Sequence, residues 1–117
     1  MNYRITNPEI SELAEALGIE FPGLYRKILV MEGVGQIASM VEVFHPSRMI
    51  ENFPNFFSSG PPRFFPFAQD SGSNTIWVMD ERNNVLRICG KECSPATCLA
   101  SGEWLSPQEW LIAYCDD

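Results

Sequence analysis

Near the amino terminus the apolar residues recur at helical spacing. Ile10, Leu13, Ala14 and Leu17 fall at i, i+3, i+4 and i+7, which leaves Glu12 and Glu15 on the opposite side. Just before them, Thr6 or Asn7 can cap, Pro8 is tolerated in a first turn, and Glu9 suits the positive end of a helix dipole, so a helix is predicted to start there and to stop at Gly18. Pro22 predicts a second start. Leu24, Ile28 and Leu29 face inward from it, with Tyr25 as a further candidate, and Gly33 marks its end.

From Gln36 onward the period shifts toward two. Residues 40–45 read as a strand, and Pro46 and Ser47 open a short helix running to about Phe53. Pro54, Gly60, Pro61 and Pro62 then impose irregular chain, because proline removes backbone donors and disfavours helix in the residue before it. Residues 64–78 are the most telling stretch: an apolar segment enters a polar turn containing Asp70, Gly72 and Asn74 and leaves as a strand. Residues 75–79 and 85–89 flank the polar loop 80–84 as a hairpin, and residues 97–100 read as a weaker strand. Ser106 and Glu109 have capping-box spacing for a closing helix, with Trp110, Leu111, Tyr114 and Cys115 on its inward stripe. Helices, a strand, a short helix, successive strands and a last helix together predict an α+β fold, one domain over residues 1–117, with a largely antiparallel sheet.

Three blocks of this order resemble the SUKH superfamily, the group of bacterial toxin-immunity proteins and fungal cell-wall-assembly regulators. The first is residues 21–29, opening Phe21-Pro22-Gly23, with the exit Glu32-Gly33-Val34-Gly35. The second is residues 41–50, containing Phe44-His45-Pro46. The third is the run Phe67-Ala68-Gln69-Asp70 with Gly72 and Asn74, followed by the strand at 85–88 and a helix in residues 104–111. Two stretches depart from the pattern: the cysteine-bearing residues 89–98 and the loop 55–62. The resemblance covers nearly the whole chain. It implies a SUKH-like fold and an immunity protein that neutralises a toxin domain by stoichiometric binding in the cytoplasm, with a regulatory or scaffold module as the alternative.

At 117 residues and 45% hydrophobic, the chain has enough apolar material for one real core. No stretch approaches the roughly 18 apolar residues of a membrane helix, and the opening Met1-Asn2-Tyr3-Arg4 lacks a signal-peptide layout, so a cytoplasmic protein is expected. Eight basic against 15 acidic residues, a net charge of −7, argues against nucleic acid and suits a basic protein partner, a nuclease toxin being one such. Cys89, Cys93, Cys98 and Cys115 lack a tight C-x2-C knuckle, and His45 is the single imidazole. Reduced structural thiols are therefore expected, with no metal, no disulfide and no cofactor. Nor do the residues propose an enzyme. His45 at a strand end lacks an evident nucleophile, Asp70, Asp80 and Glu81 are turn residues, and Ser71-Gly72-Ser73 leads into a strand where a phosphate loop needs a helix.

Strand alternation places Ile76 and Val78 on one face with Leu86 and Ile88, and Trp77 and Arg87 on the other. If the first set is the core side, Trp77, Arg87, Glu42 and Phe44 share a second face, and Trp and Arg are common anchors of interfaces. Together with Asp80 and Glu81 in the adjoining loop they form the candidate partner-binding set. The alternative is that a helix or loop covers that face and Trp77 belongs to the core.

Overall fold

The first helix starts by the reciprocal bonds that its spacing predicts: Thr6 Oγ1 accepts from the Glu9 N–H, and Glu9 Oε1 accepts from the Thr6 N–H, both at 3.4 Å. In the computed structural model, which describes residues 3–36, 41–57, 63–70, 72, 74–89, 94–100, 103–106 and 108–110, this helix α1 is Asn7–Leu17. Gly18 ends it in the left-handed conformation at φ 68°. Ile10 is buried and Leu13 and Ala14 are half-buried, whereas Leu17, expected inside, is 36% exposed because the stripe runs off the core at the last turn. Helix α2, Gly23–Met31, buries Leu24, Tyr25, Ile28 and Leu29 as its pattern requires.

Strands β1 (Gly35–Gln36) and β2 (Val41–Val43) precede helix α3 (Pro46–Asn52) and a single 3-10 turn (Pro54–Phe56). Strands β3 (Phe64–Asp70), β4 (Thr75–Asp80) and β5 (Val85–Cys89) follow, then helix α4 (Pro95–Ala100) and strand β6 (Glu103–Leu105). The strands form a six-stranded antiparallel sheet in sequence order, a meander beside helices, so the α+β expectation holds. Two local readings do not. Residues 97–100 lie in α4, whose start at Pro95 supplies the pre-set φ of a first turn. Trp104 and Leu105 extend the sheet as β6 against β5, and the closing helix begins only after Ser106, whose Oγ accepts from the Glu109 N–H at 3.1 Å. Trp110 is buried; Leu111, Tyr114 and Cys115 lie outside the described residues.

A bulge in β3 sets the sheet's faces. Pro66 pairs with Val78 and Ala68 with Trp77, so Phe67 is the extra residue, and its carbonyl accepts from the Phe44 N–H at 2.8 Å. Pro66 sits where a residue without an N–H donor is tolerated. Phe65, Phe67 and Ala68 all join the cluster that contains Trp77, Met79, Val85 and the apolar sides of α1, α2 and α3. The opposite face is buried as well. Phe64, Ile76, Val78, Leu86 and Ile88 pack with Phe56 of the 3-10 turn and Cys98 of α4. Burial on both sides explains why β3 and β4 are nearly continuous apolar runs instead of strict alternations.

Tyr25 ties the helical layer to the sheet. Its hydroxyl donates to the Phe44 carbonyl, its ring meets Phe21 edge-on at 5.7 Å, and burial pushes its pKa well above the ordinary tyrosine value. Tyr25→Phe keeps the ring and orphans a buried carbonyl, so a loss of about 1 to 3 kcal/mol is expected in denaturant titrations. An unchanged midpoint would show that water reaches that carbonyl.

Candidate functional site

The strand register separates the residues that the sequence grouped. Directly paired residues point to the same side of a sheet, and Glu42 pairs with Gln69, Gln69 with Ile76, and Ile76 with Ile88. Glu42 therefore belongs to the Ile76 face. Val43, Ala68, Trp77 and Arg87 form the companion row on the other. The register of β2 on β3 and of β3 on β4 fixes this placement, and simple alternation along β2 carried no sign of it.

Phe44 and Trp77 are corrected more strongly. They are 1% and 2% exposed, under the helical layer, and neither offers an anchor to a partner. Trp77 stands edge-on to Trp110 at 6.3 Å, and Trp110 edge-on to Phe67 at 5.0 Å. Arg87, on the same row as Trp77, reaches solvent because it lies near the sheet's β6 edge.

Glu42 works within the fold. One carboxylate oxygen accepts from Gln69 Nε2 at 2.8 Å and the other from Arg48 at 3.1 Å, while the Arg48 guanidinium lies 5.1 Å from the centre of the Phe44 ring. Asp80 organises its loop: Oδ1 accepts from the N–H groups of Arg82 and Asn84, both at 2.9 Å. Asn83 then takes positive φ, and its Oδ1 accepts from the Leu24 N–H at 2.8 Å. That bond caps α2 from 59 residues away, where Pro22 has no side chain to do so.

Of the six candidate residues, Glu81 and Arg87 are well exposed. Glu81 lines a cleft of about 400 Å³ with Glu20, Phe21, Pro22, Gly23, Arg63 and Phe65, at the end of the sheet where the 80–84 loop meets the start of α2. Glu81 Oε1 accepts from the Arg63 N–H at 3.1 Å, which holds the entry to β3 against the loop. Sequence reading missed Glu20 and Arg63 because nothing local links residues 20, 63 and 81; the loop capping of α2 brings them together. The cleft carries the carboxylates of Glu20 and Glu81 and the guanidinium of Arg63, with Phe21, Pro22 and Phe65 completing its lining.

Among the described residues, no group of three or more His, Cys, Asp and Glu side chains could hold a metal ion, and no helix is long and apolar enough to cross a membrane. Cys98 is a buried free thiol whose pKa burial pushes up to about 12, which disfavours the reactive thiolate. Cys93 and Cys115 lie outside the described residues. Comparison with known proteins returned no match: no family model fits the chain, and no curated protein and no solved structure is similar to it.

Proposed function

We propose that the chain is a non-enzymatic protein-binding domain that acts in the cytoplasm as an immunity protein, neutralising a basic toxin domain, such as a nuclease, by stoichiometric contact. The observation that carries the reading is the acidic exterior. The net charge is −7, Glu9, Glu12, Glu15, Glu20, Glu51 and Glu81 are exposed, and two of these line the cleft beside the 80–84 loop. The likeness of residues 21–35, 41–50 and 67–74 to SUKH blocks supports the same reading. Inhibition by occlusion asks for shape and complementary charge and for no catalytic group.

Co-expression with a toxin domain sought among the neighbouring genes tests it. The expected result is survival of cells that die with toxin alone. With the purified pair, the association rate is expected to fall about tenfold or more between low and physiological salt, because exposed charge steers encounter and salt screens it. Cells that die equally with and without this chain would overturn immunity and leave the regulatory module. A rate that is flat with salt would remove steering from the account.

A further inference from the structure

His45, the single histidine of the chain, holds the start of α3 with its ring: Nδ1 accepts from the Ser47 N–H at 3.1 Å, and backbone φ and ψ at His45 are those of a helix cap. This bond needs a lone pair on Nδ1 and so exists only with the neutral imidazole. The half-buried ring also faces a cleft of about 350 Å³ whose other walls are Glu9, Glu12, Leu13 and Ala16 of α1.

We propose that His45 is a proton-operated latch between α1 and α3: neutral, it caps α3 through Ser47; protonated, it releases Ser47 and is drawn to the carboxylates of α1 across the cleft.

Three forces oppose the proton in the capped state. Burial, the largest, removes hydration from an imidazolium; the Nδ1 lone pair is already engaged, and the positive end of the α3 dipole lies beside the ring. Glu9 acts in the other direction. Glu12 of α1 lines the same cleft, and these two are the charged groups facing His45 from α1. From α2 the neighbouring group is the Tyr25 hydroxyl, uncharged in this range and bound to the Phe44 carbonyl. On α3 itself Arg48 is paired with Glu42, which also holds Gln69 of β3. Burial outweighs Glu9, so the His45 pKa in the folded chain lies below its ordinary 6.5. The sign follows. As pH falls through 6.5 the uncapped state takes the proton first, so the latch weakens from there down to the lowered folded value and no further.

Residue-resolved NMR on the intact chain between pH 8 and 5 reads this directly. The imidazole titration gives a single midpoint, and amide protection at Ser47, corrected for intrinsic exchange, is expected to drop roughly fivefold between pH 6.5 and that midpoint. His45→Asn supplies a cap that does not titrate, and is expected to keep protection constant over the same range. Glu9→Gln should move the His45 midpoint to lower pH. Constant protection at Ser47 through the imidazole titration overturns the latch, and so does an equal drop in His45→Asn or an unmoved midpoint in Glu9→Gln.

Discussion

Trp77→Ala is expected to cost about 3 to 5 kcal/mol of stability, the range for deleting a large aromatic from a packed core. Total stability of a domain is commonly about 5 to 15 kcal/mol, so this one change removes a large part of it. The ring is 2% exposed and meets Trp110, which in turn meets Phe67, so its loss opens a void among groups held by three separate elements. The backbone there is fixed by β3 and β5 on either side and has little room to collapse. Ile76→Ala is the companion. Ile76 lies on the opposite face, 7% exposed, under the 3-10 turn and α4, and its loss is expected nearer about 2 kcal/mol, the lower end for an aliphatic truncation. Urea or guanidinium titration of both variants, with slopes compared, gives the test. A Trp77→Ala protein with the wild-type midpoint would mean that the helical layer does not cover this face, and would restore Trp77 as a candidate anchor.

Gly33→Ala is expected to cost about 3 kcal/mol, from two sources that add: a non-glycine residue held at positive φ, and crowding against fixed backbone. Gly33 has φ 90°, and a Cβ there would lie 2.7 Å from the Tyr3 carbonyl oxygen and 3.0 Å from the Arg4 nitrogen. Tyr3 cannot yield cheaply. It exchanges two backbone hydrogen bonds with Val34, at 2.9 and 2.7 Å, and the following Ile5 N–H donates to the Leu29 carbonyl. Gly18→Ala separates the two sources, since Gly18 has φ 68° with nothing within 4 Å of the added carbon. It is expected to cost about 1 kcal/mol, the left-handed penalty alone. Equal losses in the two variants would show that residues 3–5 move aside and that the Tyr3–Val34 bridge contributes little.

Both results depend on features of very different legibility. The capping boxes at Thr6 and Ser106 could be read directly, because donor and acceptor are three residues apart and need no other part of the chain. The left-handed stop at Gly18, the buried stripe of α2 and the strands flanking 80–84 were equally local. The candidate site was legible only in part. Glu81 and Arg87 are exposed, but Trp77 and Phe44 are covered, and Glu42 is turned to the other face. Alternation tells that neighbours in a strand point apart, and it does not tell what lies above either side. With apolar residues on both faces of β4, no periodicity could distinguish core from interface.

Short-range chemistry therefore settled the α+β class and most of the elements, though not the helix at residues 95–100 or the strand at 103–105, since caps, stripes and hairpin each rest on residues within a turn or two of one another. Pairing over long sequence separations settled the rest. The register of β2 on β3 and of β3 on β4 set which side Glu42 faces, and α4 rather than a strand covered Ile88. The loop capping of α2 through Asn83 gathered Glu20, Arg63 and Glu81 around one cleft, and the packing of α1 beside α3 placed Glu9 next to His45. These outcomes depend on how whole elements pack against each other to bury apolar surface on both sides of the sheet. That free energy belongs to the assembled layers and is written in no single segment.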